Sequence, residues 1–272
     1  MTRRHQAIEP TNRLLLLLMV LLGVKLLLSR VLALTLPDDL PQETLLLISL
    51  SQEVLLIGLP AIVLMVRSKG ISPRMGQSRG GIGLMLCAVA LGLAFRAFAV
   101  PLTGAWCKML SLEQQTTAVP DSPMLWCLQL LTVAIVPAVA EECLFRGVVL
   151  SSLLSHGSRI AAGLLTTLLF SLLHGNPAAL PAHLLLSAAL TILMLRTGRL
   201  YAPILMHFAY NASSLFWPGM SALWLTLCAL AVLALTIWAL LTMPKIANLR
   251  MKRSTWLLSI AALALMALQY IS

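Results

Sequence analysis

Two adjacent glutamates interrupt an apolar run in VPAVAEECLFRGVV, and their neighbours decide what each can do. On a helix, Glu142 and Arg146 stand four residues apart with the acid first, the favourable orientation for an intrahelical pair. Glu141 projects about 100° away and has no such partner. Glu142 and Arg146 therefore read as a mutually neutralised brace, and Glu141 as a desolvated carboxylate suited to take a proton from water. The blander reading is a charge cluster that ends a helix at a membrane boundary, and the motif alone does not choose between them.

Three histidines in the second half bear on that choice: His174 in LLFSLLHGNP, His183 in PAHLLL and His207 in ILMHFAYNAS. A lone histidine on an apolar face is more often a satisfied core residue than a reactive one. His207 differs because Asn211 lies one helical turn on, so an imidazole and a carboxamide share a face. Two neutral donors aimed at one spot are what an oxyanion hole requires. His174 ends an apolar segment at a Gly-Asn-Pro turn, where it could meet Glu141 from another helix. His183 has no partner at helical spacing and is expected to be structural or interfacial.

These residues need a scaffold, and the composition says which kind. The chain has 272 residues, 60% hydrophobic and only 10% charged, with a mean hydropathy of +0.95. A soluble domain carries roughly a quarter charged residues, so a soluble globular fold is excluded. A β-barrel would alternate apolar and polar residues, whereas runs such as LLLLLMVLLG are unbroken. The expected fold is all-α, a polytopic transmembrane bundle of about eight or nine spans. The net charge of +10 reads as basic cytoplasmic loops and not as a nucleic-acid surface. Cys87, Cys107, Cys127, Cys143 and Cys228 show no paired spacing and read as small apolar residues.

Nine apolar segments are expected near 14–34, 45–66, 82–104, 124–140, 160–174, 183–195, 200–217, 221–243 and 255–271. The fifth and sixth are short for ~30 Å of hydrocarbon. Basic loops alternate with neutral or acidic ones, which places the N-terminus in the cytoplasm. Val31, Leu32 and Ala33 could pass as a leader cleavage site, but Lys25 interrupts the apolar run and a retained anchor is expected. Taking ~1.5 Å per residue, Lys25, Glu53 and Arg96 share a depth of about 12–14 Å inside the non-cytoplasmic boundary. Glu53 is therefore expected to offset Lys25 or Arg96 across helices, with snorkelling of the basic side chains as the alternative.

Read in order, EECLFR (141–146), FSLLH (170–174) and HFAYN (207–211) match the EExxxR, FxxxH and HxxxN motifs. In this the sequence resembles the CPBP intramembrane peptidases, the CAAX-protease and bacteriocin-processing family also called Abi proteins. The resemblance covers about 124–217 and divides the chain into N-terminal transmembrane helices (1–123), a catalytic core (124–217) and C-terminal transmembrane helices (218–272). It implies hydrolysis of a peptide bond in a membrane-associated or lipid-modified substrate. It also implies that Glu141 and His174 activate water, His207 and Asn211 stabilise the oxyanion, and Glu142 with Arg146 supports them. The expected partners are such a peptide and the lipid bilayer, with no nucleic acid, and the expected place is a bacterial plasma membrane.

A carboxylate and two histidines could bind zinc, but HExxH is absent, so a glutamic mechanism without a cofactor is the favoured expectation. Other classes stay open at this point. A catalytically silent scaffold or regulator would keep the fold, a small transporter would place the same residues at mid-membrane, and a serine peptidase would need a nucleophile that Ser171 is badly set to supply. One structural condition follows from the chemistry. A fourth segment ending at residue 140 would leave Glu141 at one face of the membrane and His174 near the other. Cooperation therefore requires one continuous helix over about 124–154 with Glu141 near its middle.

Overall fold

The computed structural model describes residues 10–37, 39–67, 75–76, 80–113 and 120–216, with isolated positions at 227, 230, 234 and 255. The described residues form seven helices and no strand: α1 (Pro10–Thr35), α2 (Gln42–Arg67), α3 (Ile82–Leu110), α4 (Pro123–Ser155), α5 (Arg159–Leu173), α6 (Leu180–Thr197) and α7 (Tyr201–Phe216). Five of them, α1 to α4 and α6, are long and apolar enough to cross a membrane. The protein is thus an all-α integral membrane protein. The eighth and ninth expected segments lie outside the described residues, isolated positions apart, as does Cys228.

Local sequence explains the helix ends. Ser122 caps α4 by accepting from the Leu125 N–H at 3.2 Å, with Pro123 in the first turn, and Ser158 caps α5 by accepting from Ala161 N–H at 3.1 Å. Helix α6 corrects the sixth expected segment, which was drawn too short at both ends. Pro181 lies in its first turn, where a missing N–H costs nothing, and the left-handed Gly198 closes its last turn. At 18 residues it has spanning length, whereas the 15 residues of α5 cover only about 22 Å.

Three stretches widen to π-helix: Val54–Gly58 in α2, and Leu130–Ile135 and Cys143–Val149 in α4. The first two each end two residues before a proline, Pro60 and Pro137. A proline clashes with the carbonyl four residues earlier and offers it no hydrogen. Widening the preceding turn relieves that clash without breaking the helix. Helix α4 accordingly runs unbroken through 33 residues, with Glu141 near its middle, as the chemistry required.

Two apolar clusters hold the bundle. One joins α1, α2, α4 and α5 around Leu15, Ile57, Phe145, Leu153 and Phe170, and the other joins α3, α6 and α7 around Phe95, Leu190 and Met206. Gly92 lets α3 and α7 approach closely, because a Cβ there would collide with the Met206 carbonyl oxygen. The outer surface carries exposed large apolar side chains such as Leu27, Leu34, Val66 and Ile82, while Glu53, Glu141, Glu142 and Arg146 are buried. Apolar outside and charged inside is the arrangement that lipid selects.

Candidate active site

Glu141 and Glu142 leave the middle of α4 toward different neighbours. Glu142 is held through one oxygen, Oε1, while its Oε2 is buried without a hydrogen-bond partner among the described residues. Its Oε1 accepts from Arg146 Nη1 at 2.8 Å and from His207 Nδ1 at 3.0 Å, and all three side chains are buried. Arg146 then uses Nη2 to reach the Ser187 hydroxyl at 2.8 Å and the Ser187 carbonyl at 3.0 Å on α6. Its guanidinium also lies 4.4 Å from the centroid of the Phe170 ring. One ion pair thus ties α4, α5, α6 and α7 together. Because a carboxylate can only accept, the His207 proton toward it sits on Nδ1, and Nε2 donates only in the imidazolium form.

Glu141 is built the opposite way. Its Oε2 is buried with no hydrogen-bond partner among the described residues, and faces His174 Nε2 at 3.6 Å. His174 is held from its other side, since Nδ1 lies 3.0 Å from the Phe170 carbonyl. A carbonyl accepts, so Nδ1 carries the hydrogen, and in the neutral ring Nε2 turns its lone pair toward Glu141. The turn after α5 fixes this side chain: Gly175 adopts a left-handed φ of 59°, and the Asn176 side chain accepts from Ala179 N–H at 3.2 Å. The Phe170 ring lies between the two histidines, 4.9 Å from the His174 ring and 5.7 Å from that of His207.

Asn211 is placed more peripherally. Its Nδ2 donates to the Val133 carbonyl at 3.0 Å. The regular partner of that carbonyl would be the N–H of residue 137, which is a proline, so Asn211 satisfies a group orphaned by the widened turn. One amide hydrogen of Asn211 is thereby used and the other is left over. The structure therefore brings Glu141 to His174, and Glu142 to Arg146 and His207. Asn211 stays one turn from His207, about two turns before Glu141 along α4.

Sequence reasoning missed one contact and one neighbour of this group. The contact of Glu142 with His207 spans 65 residues and has no local signature. His183, expected to be structural or interfacial, packs its ring against that of His174, with centroids 4.0 Å apart and a tilt of 34°, and its Nδ1 is buried with no hydrogen-bond partner among the described residues. A signal existed in the short HGNPAALPAH connection, because a tight turn between α5 and α6 must bring its two flanking histidines together.

Among the described residues no three His, Cys, Asp or Glu side chains group to hold a metal ion. Of the cysteines, Cys87, Cys107, Cys127 and Cys143 are all free thiols.

Comparison with known families gives one match. Residues 123–213 match the family model of type II CAAX prenyl endopeptidase Rce1-like proteins. The matched stretch contains all three motifs and the whole Glu141–His174 and Glu142–Arg146–His207 arrangement. No curated protein and no solved structure matches the chain.

Proposed function

We propose, from the premise that residues 123–213 are of the Rce1-like CAAX endopeptidase family, that the protein is a glutamic-type intramembrane endopeptidase. The family carries the coarse activity, a CAAX-type protease acting on a membrane-associated peptide. The mechanism is read from this chain's own residues.

A water set between Glu141 Oε2 and His174 Nε2, which are 3.6 Å apart, lies within hydrogen-bond reach of both. Glu141 takes one of its protons while the water oxygen bonds to the scissile carbonyl carbon. The carbonyl π electrons move to oxygen, and the oxyanion is stabilised by the Nε2–H of His207 in its imidazolium form, whose Nδ1–H goes to Glu142, and by the second amide hydrogen of Asn211. Glu142 fixes the His207 ring through Nδ1 so that Nε2 points away from the brace. Collapse of the tetrahedral intermediate re-forms the carbonyl and breaks the C–N bond. The proton held on Glu141 passes to the leaving amine, and no metal takes part in any step.

The observation that carries this reading is the pairing of an unpartnered, buried Glu141 oxygen with a histidine nitrogen whose far side is anchored. The setting in this reading is a multi-pass protein of a bacterial plasma membrane, and the alternation of basic loops supports a cytoplasmic N-terminus. Peptidomics of membranes and medium from cells carrying wild-type or Glu141→Gln protein tests the reading. The expected result is a set of cleaved peptides that disappears with the variant. Identical peptide sets would leave a non-proteolytic scaffold as the better account.

A further inference from the structure

The tip of the α5–α6 hairpin holds a polar group that the hydrolytic steps leave unused. His183 stands in the first turn of α6, its own N–H bonded to the Ala179 carbonyl at 3.0 Å. Its ring lies 4.0 Å from that of His174, centroid to centroid, and its Nδ1 is buried without a hydrogen bond among the described residues. His174 in turn faces Glu141 across 3.6 Å. The unpartnered nitrogen thus belongs to the ring next to the reacting pair. Leaving such an atom unpaired is costly, and a ligand that reaches it recovers the cost.

The tip is tied down from two sides. From α3, Trp106 Nε1 donates to the Pro177 carbonyl at 3.0 Å, and the Cys107 thiol reaches the Ala178 carbonyl at 3.7 Å. Within the turn, the Asn176 side chain accepts from Ala179 N–H. These bonds set where the His183 ring stands relative to His174, and an acceptor fixed in advance binds at lower entropic cost.

A peptide substrate brings the matching need. To be hydrolysed inside a membrane it must unwind locally, and each N–H it frees must find an acceptor, because hydrocarbon offers none. Buried N–H groups tolerate this less than carbonyls do. In the mechanism above His207 and Asn211 meet the scissile carbonyl, and Glu141 takes the proton of water. His183 Nδ1 is left over as an acceptor. The 4.0 Å between the two rings is close to the ~3.3 Å rise of one residue in an extended chain.

We propose that His183 Nδ1 accepts a hydrogen bond from a backbone N–H of the unwound substrate, within two residues of the scissile bond. The ring hydrogen then sits on Nε2. His183 is in this way a substrate-binding residue that grips main chain, a contact available to any side-chain sequence. The inference rests on the peptidase reading above.

The test uses a membrane-inserted peptide carrying a cleavage site found by the peptidomics, with protein reconstituted in lipid nanodiscs. In a set of analogues the N–H of each residue within two of the scissile bond is replaced in turn by an ester oxygen, the scissile amide itself excepted. In wild type one ester should lower kcat/KM by about 3- to 10-fold, the worth of one neutral hydrogen bond. His183→Phe keeps a flat ring against His174. It should lose a similar factor on the all-amide peptide and be indifferent to that ester. His183→Asn sets an acceptor oxygen near the place of Nδ1 and should keep the ester effect. Should His183→Phe not fold, His183→Leu takes its place. An ester effect that survives in His183→Phe, or no responsive position in wild type, would overturn the inference and leave the peptidase standing. No cleavage of the all-amide peptide by wild type would remove the peptidase reading and this inference with it.

Discussion

Glu141 and Glu142 are neighbours in the chain, share one helix and are both buried, yet the bundle treats them oppositely. Glu142 accepts two hydrogen bonds on one oxygen, from an arginine and a histidine, and through Arg146 reaches Ser187. Glu141 accepts none on the oxygen that faces His174. Glu142 Oε2 is likewise buried without a hydrogen bond among the described residues. What separates the two is the arginine that neutralises Glu142 and fixes it in place, while Glu141 faces a histidine nitrogen and is available to take a proton. A helical step of about 100° is enough to separate the two roles.

Breaking the neutralised side has the largest expected effect. Replacing one partner of a buried ion pair leaves the other uncompensated and costs about 3–5 kcal/mol. Glu142→Gln and Arg146→Met should therefore both lower thermal stability strongly and abolish cleavage, as read by a detergent-based melting curve beside a peptide assay. A variant of either that melts like wild type would mean the brace is not what holds the four helices.

Asn211 sharpens the comparison because it belongs to both sides. Asn211→Ala should cost ~10²–10³ in turnover if its second amide hydrogen meets the oxyanion. It should cost only about 1 kcal/mol of stability for the lost bond to the Val133 carbonyl. Loss of stability without loss of turnover would make Asn211 a cap and nothing more.

His183 asks how tightly His174 must be held. His183→Ala removes the ring stacked 4.0 Å away, and a displaced His174 can cost up to ~10² in rate. His183→Phe keeps a flat ring and should recover much of it. Equal loss in both variants would mean that the imidazole itself, and not its shape, is needed. The smallest expected effect is none at all: a strong chelator should leave the rate of the purified protein unchanged. Activity lost to chelation and restored by zinc would replace the glutamic mechanism with a metal one.

How much of this could be read in the sequence differs from place to place. The Glu142–Arg146 pair was legible because both partners lie on one helix, where spacing is geometry. The continuity of α4 was legible from chemistry, since only an unbroken helix could put Glu141 at the depth of His174. Shared depth likewise pointed Glu53 toward a cation, and the structure selects Lys25, while Arg96 lies over the Tyr210 ring at 5.6 Å from its centroid. The Glu142–His207 bond was not legible, because it depends on how α7 packs across α4. Nor was the link from Asn211 to Val133, which exists because Pro137 withholds a hydrogen and the helix widens in response. The ends of α6 were misjudged for a simpler reason: Pro181 looks like a breaker, and in a first turn it is not one.

The claim on which the account stands is that Glu141, and not its neighbour, accepts the proton of the attacking water. The direct measurement is hydrolysis of a membrane-inserted peptide in ¹⁸O-labelled water by wild type and by Glu141→Gln, each first shown to have the same melting temperature. Wild type should place the label in the new carboxyl terminus. Glu141→Gln, folded and with the Glu142–Arg146–His207 cluster intact, should lose at least ~10² of that rate, the lower range for a general base. Labelled product formed by Glu141→Gln at the wild-type rate would contradict the account.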